Sequence, residues 1–311
     1  MNWGSAWPGL MSGTSPFVGL VPVNIQPPML KKKKPRKRSN PAFSGIPVTL
    51  LRTAVWLITA GVISIQAISC GLLPAPSLTS TPSIEPSRSP VPTHFSDCRQ
   101  FFAGGISPAV QKAPMQRELC YEAFAVLHSG QSKTPVFVAQ RLNRASIEDA
   151  GEKRTNKFFA DARLPRSERA ELSDYKGSGY ARGHIAPAGD MPSPTAMAQS
   201  FSLANMVPQN ASQNSGAWAK IEQDTRRYVL RAKGDVFVIT GPVFGPDSQV
   251  IGANRVRVPT HLFKLVYDAS TGKAWAHWQP NSEEARAGQP ISYEELEQRI
   301  KMGLLPGVKL R

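Results

Sequence analysis

Arg182, Gly183 and His184 stand side by side in the stretch SGYARGHIAPAGD, residues 178–190. A guanidinium is almost never buried unpaired, so the triplet suits a pocket open to solvent better than a core. Arginine keeps its charge at any working pH and offers a planar fork to an oxyanion, while histidine exchanges a proton near neutrality. Together they fit a site that grips an anion and moves a proton. The plainer reading is an ordinary hydrogen-bonded histidine beside a surface charge.

Two polar stretches follow closely. FSLANMVPQNASQN fills residues 201–214, and a helical pattern starts at Gly216 and runs to 233. Asn214 and Glu222 are eight positions apart, or about 12 Å on one ideal helix. That is too far for both to touch one ion directly, which gives Glu222 an indirect role. Taken alone, Asn214 before the helix reads as an N-cap and Glu222 as a solvated helix residue. A His/Cys metal cage is not indicated. Cys70, Cys98 and Cys120 form no CxxC pair, and His94, His128, His184, His261 and His277 show neither HxH nor HExxH spacing. A hard cation held mainly by oxygen and water fits better. His261 and His277 fall in strand patterns and read as structural.

The elements that must position these groups are strands with a few helices. TPVFVAQRL (134–142), DVFVITGPVF (235–244), RVRVPTHLFKLVYD (255–268, broken at Pro259) and KAWAHWQP (273–280) read as strands. In the helix over 216–233, Trp218, Ile221, Thr225, Tyr228 and Val229 share one face. A second helix is expected over 292–302, where Ser292 and Glu295 make a capping box. No βαβ alternation occurs, so the fold class is α+β, a mixed or antiparallel sheet core with flanking helices.

Charge narrows the partners. The 311-residue chain carries a net charge of +15. The segment KKKKPRKR (31–38) supplies seven of those charges, and no acidic residue occurs before Cys70. The remainder still holds 29 basic against 22 acidic residues, which favours a polyanion or an anionic membrane as partner. Four regions follow: a disordered basic N-terminal region (1–47), a signal peptide or membrane anchor (48–72), a Pro/Ser-rich linker (73–96) and a folded domain (97–311). A basic flank before an apolar run predicts export, to a periplasmic, membrane-anchored or secreted location. In an oxidising compartment Cys98 and Cys120 gain a purpose as a disulfide closing a loop of 22 positions, contributing roughly 3 kcal/mol by loop entropy. The alternative is two buried thiols.

The combination of RGH at 182–184, NMVPQ at 205–209 and NSGAWAKIE at 214–222 resembles the DNA/RNA non-specific endonuclease family. The similarity extends through VITGPVFG, VPTHLFKLVY and the later QPN, covering about residues 97–311. The resemblance implies a ββα-metal (His-Me finger) nuclease fold and Mg²⁺-dependent cleavage of DNA and RNA to 5′-phosphate ends, with Mn²⁺ as a substitute ion. His184 would be the general base and Asn214 the one direct metal ligand. Glu222 would hold a metal-bound water, and Arg182 and Arg154 would contact phosphate. Asn205 and Gln209 match polar positions lining the family's site, Asn205 with the catalytic set and Gln209 with the substrate contacts. One departure stands out: Ala181 occupies a position where the family usually has aspartate. The alternative is therefore a nucleic-acid-binding protein tethered through 48–72, with an impaired site used in DNA capture or uptake. Monomers and homodimers both occur in the family, which leaves the oligomeric state open.

Overall fold

In the computed structural model, residue 91 and residues 93–311 are described. The basic region 1–47, the segment 48–72 and most of the linker lie outside them. Eleven strands follow in chain order: β1 (Gln116–Cys120), β2 (Ala125–Ser129), β3 (Thr134–Leu142), β4 (Ala181–His184), β5 (Met206–Gln209), β6 (Val236–Val243), β7 (Val250–Ile251), β8 (Val256–Arg257), β9 (His261–Asp268), β10 (Lys273–Pro280) and β11 (Ile291–Ser292). Seven form one antiparallel sheet in the order β1-β2-β3-β6-β9-β10-β11, while β4 pairs with β5 and β7 with β8.

Both faces of the large sheet are covered. Strand side chains alternate between faces, and β9 shows the consequence. Phe263, Leu265 and Tyr267 join one core with Phe95, Phe101, Phe102 and Leu296 of the C-terminal helix. Leu262 and Val266 face the other way, toward cores that contain Trp218, Ile221 and Val229. Ile221 and Val229 lie on the helix Ala219–Val229, which also carries Glu222, and Trp218 immediately precedes it. Burial of this stripe, rather than helix propensity, sets it against the sheet.

Two boundaries differ from the sequence reading. Thr93 and Phe95, inside the stretch assigned to the linker, already pack with the folded body: the Thr93 hydroxyl accepts the Cys120 amide at 2.8 Å and Phe95 is buried. The helical segment starts earlier than Gly216, at Ala211. Asn210 is its N-cap, its Oδ1 accepting the amides of Ser212 and Gln213 at 3.0 and 3.1 Å. Asn214–Trp218 then form a π-helical turn before the α-helix. Cys98 and Cys120 are joined by a disulfide that ties the N-terminal turns to the end of β1.

Candidate active site

The β4–β5 hairpin delivers the RGH triplet. His184 pairs with Met206 and Ala181 with Gln209 in antiparallel register. The chain then turns at Asn210 into the helical segment, so strand, strand and helix pack as one unit. A cavity of about 360 Å³ lies at the junction, with Arg154, Arg182, His184, Asn214 and Glu222 in its wall beside Gly189, Ser215 and Arg226.

Arg117, Arg163, Arg169 and Arg226 are each held by a carboxylate. Among the described residues Arg154 and Arg182 have no such partner and lie on aromatic faces instead. Arg182 sits 4.3 Å from the Phe158 ring centre and Arg154 5.4 Å from that of Phe201. Phe201 in turn meets the His184 ring edge-on at 4.9 Å. His184 Nε2 is buried without a hydrogen-bond partner among the described residues. Burial, and next the Arg154 charge, push the His184 pKa down to about 3. Its imidazole is therefore neutral at pH 7, with Nε2 uncommitted to any hydrogen bond among the described residues. Burial pushes the Glu222 carboxyl up to about 7, with the Lys264 ammonium pulling the other way.

Asn214 is free for chemistry because Asn210 has taken the capping role. Among the described residues no side-chain hydrogen bond engages the Asn214 amide, and no cluster of three or more His, Cys, Asp or Glu side chains could cage a metal. The donor set is thus one neutral amide oxygen plus a carboxylate one helical stretch away. That suits a cation that keeps most of its waters, such as Mg²⁺, and does not suit Zn²⁺.

Two expected site residues are not brought to the cavity. Asn205 is 0% exposed and works as a clasp: its Oδ1 accepts the Ala186 amide at 2.9 Å, and its Nδ2 donates to the carbonyls of Ala186 and Ser200. It fixes the backbone just after His184 and touches no cavity atom. Gln209 is likewise buried, with Nε2 donating to Gln213 Oε1 at 2.5 Å. Both assignments are corrected to structural roles; their polarity serves buried backbone and amide groups that need partners. Replacing Asn205 by alanine leaves the Ala186 amide and two carbonyls unsatisfied. A loss of about 3 kcal/mol in urea unfolding is expected, and a loss below about 1 kcal/mol would contradict the clasp.

Sequence reasoning missed Arg226. It lines the cavity one helical turn after Glu222, held by Asp190 at 2.9 Å. Gly189 makes room for it: a Cβ there would lie 3.2 Å from the Arg226 guanidinium. The i,i+4 spacing from Glu222 was the available signal. It also explains the AGD end of the 178–190 stretch. Ala181, the departure from the family pattern, sits at the open end of the hairpin and is outside the cavity wall.

Comparison with known proteins places this arrangement. The family model described as DNA/RNA non-specific endonuclease matches residues 106–305. The chain is similar to the Xenopus laevis protein named Nuclease EXOG, mitochondrial, with 38% identity over 157 residues, 47% of this chain and 44% of that one. It is similar to the Homo sapiens protein named Endonuclease G, mitochondrial, with 34% identity over 164 residues, 49% of this chain and 55% of that one. A solved EndoG/EndoGI complex superimposes with a TM-score of 0.54 at 25% identity, covering 60% of this chain and 84% of that chain. That neighbour has the ββα-metal nuclease fold, which the hairpin and helix here reproduce. The chain spans about half the length of the curated relatives it matches. The expectation of export is overturned: the EXOG and endonuclease G relatives and the Schizosaccharomyces pombe Nuclease 1 are named as mitochondrial nucleases. Among the described residues no helix is long and apolar enough to cross a membrane. A basic, acid-free N-terminal region is a feature that export signals share with organelle-targeting leaders.

Proposed function

Because this chain belongs to the DNA/RNA non-specific endonuclease family, we propose that it is a metal-dependent endonuclease hydrolysing phosphodiester bonds of DNA and RNA. The single observation that carries this reading is one cavity holding a neutral buried imidazole, two guanidiniums without carboxylate partners and an uncommitted asparagine amide. Arg154 and Arg182 receive the scissile phosphate. His184 accepts a proton from the attacking water. Burial is the larger cause of the depressed His184 pKa; a phosphate diester on Arg154 offsets only the smaller part that the Arg154 charge contributes. Asn214 would hold Mg²⁺, with Glu222 acting on it through water; bound there, a divalent cation supplies positive charge to the phosphate and the leaving oxygen. By family resemblance the products carry 5′-phosphates. Contacts to the backbone carry no base information, so cleavage is expected to be sequence-tolerant and to weaken with salt.

The test is digestion of plasmid DNA and of structured RNA with Mg²⁺ and with EDTA. Cleavage of both substrates is expected, abolished by EDTA, with ends that polynucleotide kinase labels only after phosphatase treatment. Asn214→Ala is expected to raise the Mg²⁺ concentration for half-maximal rate at least tenfold. EDTA-resistant cleavage overturns the metal assignment. A second reading, binding without cleavage, rests on Ala181. Gel retardation without nicking at any Mg²⁺ concentration would favour it.

A further inference from the structure

Lys264 is a buried charge that the mechanism above leaves unused. It lies in the middle of β9, 1% exposed. Alternation along the strand puts it with Leu262 and Val266, on the sheet face that packs against the site helix. Its ammonium donates to Thr240 Oγ1, the cross-strand neighbour in β6, at 2.9 Å. It also lies 5.5 Å from the centre of the Trp218 ring. An ammonium has three donors, and Thr240 is its one hydrogen-bonding acceptor among the described residues. Thermodynamically this is a poor residue for a core. Burying an ammonium costs several kcal/mol after relaxation, whereas methionine would fill the same volume without that penalty.

The surroundings supply a reason. Trp218, against which the ammonium rests, is one helical turn before Glu222. Burial pushes the Lys264 pKa down, and among the charges around it Glu222 and Asp190 favour its ammonium form while Arg226 opposes it. From β10, His277 stands in register with Lys264 and is pushed down to about 4 by burial first and by the lysine charge second. It is thus neutral at pH 7 and adds no charge. Arg226 is committed to Asp190 at 2.9 Å, whereas Lys264 makes no direct salt bridge among the described residues and acts on Glu222 as a charge held over the Trp218 ring.

We propose that Lys264 is a positioning residue of this site: its buried ammonium is the fixed counter-charge that anchors the Glu222 carboxylate at the cavity wall. The inference rests on the role given to Glu222 above, and its test is chosen to separate the two. Lys264→Met keeps the volume and removes the charge. It is expected to lower kcat by about 10- to 100-fold, the range seen when a supporting partner is lost, with KM for DNA changed less than about threefold. It also leaves an uncompensated carboxylate, so Tm falls by roughly 10 °C. In the Glu222→Gln background the same substitution is expected to lower kcat no further, and K264M/E222Q is expected to recover at least half of the lost Tm. A purely structural lysine would give equal losses in both backgrounds and no thermal rescue, which overturns the proposal. The thermal rescue is read without turnover, so it decides the proposal even if the wild-type chain proves not to cleave. If K264M alone does not fold, folding of the double variant supports the proposal, and its failure to fold as well overturns it.

Discussion

Replacing His184 by alanine should reduce kcat for plasmid nicking by about a thousandfold, within the range of 10²–10⁴ ascribed to a positioned general base. Retention of DNA in a gel should change little, because the phosphate contacts proposed above come from Arg154 and Arg182. The case for so large an effect is that the cavity offers no equivalent substitute. Glu222 is the group there that titrates near pH 7, its carboxyl pushed up to about 7 by burial, yet its expected task is to hold water rather than strip it. The sign of the pH dependence separates the two groups. A base works only unprotonated, and a carboxylate that holds water must likewise be ionised, so each gives a rate that falls as pH drops through its pKa. His184 is held at about 3, first by burial and then by Arg154. Its limb in kcat/KM therefore lies well below the usual histidine range. The limb near pH 7 belongs to Glu222 and should vanish in Glu222→Gln. A decisive control is chemical rescue: added imidazole should restore part of the rate in the alanine variant. Activity above a tenth of wild type, or a variant indifferent to imidazole, would remove His184 from the role of base.

Much of this arrangement was legible before any coordinates, and the parts that were not have identifiable causes. The strands over 134–142, 235–244 and 273–280 were readable because their apolar runs are bounded by turn residues and each is paired and half or fully buried. The start of the site helix was misplaced because two asparagines compete for one cap. Asn210 and Asn214 are both good N-cap residues in isolation, and only the turn after β5 decides that Asn210 takes the position. That choice is what frees Asn214. Asn205 and Gln209 were taken for wall residues because polar side chains near a motif suggest contact with a ligand. Their burial depends on how the Ala186 backbone and Gln213 fold over them, which is a tertiary fact. Arg154 lines the cavity from a loop that has no periodic signal, and its selection rested on resemblance rather than on local chemistry. Lys264 carried no signal at all in an alternating strand, where a lysine ordinarily marks the solvent face. The face it occupies is covered only because the site helix packs there.

Gly183→Ala should destabilise the fold by about 3 kcal/mol and lower Tm by roughly 8 °C, a large response to one methyl group. Gly183 lies in β4 opposite Val207 of β5. A Cβ at that position would fall 1.7 Å from Gln209 Oε1 and 2.6 Å from Gln209 Cβ. Turning the amide about its terminal bonds relieves the first contact only. The second is set by the backbone, so either Gln209 is expelled or the hairpin opens. Expulsion breaks the bond from Gln209 Nε2 to Gln213 Oε1, leaving a buried amide oxygen unpaired at about 1–3 kcal/mol. Overpacking adds a similar amount. Both consequences reach the site, because Gln213 directly precedes Asn214 and Gly183 directly precedes His184. The glycine between arginine and histidine is thus required by the side chain that folds across it, and the two reactive groups are held apart by a residue chosen for its lack of volume. Removing the obstructing side chain tests this directly: Gly183→Ala combined with Gln209→Ala should recover more than half of the lost Tm. A single variant within about 2 °C of wild type, or a double variant no more stable than the single, would show that the hairpin accommodates the methyl in some other way.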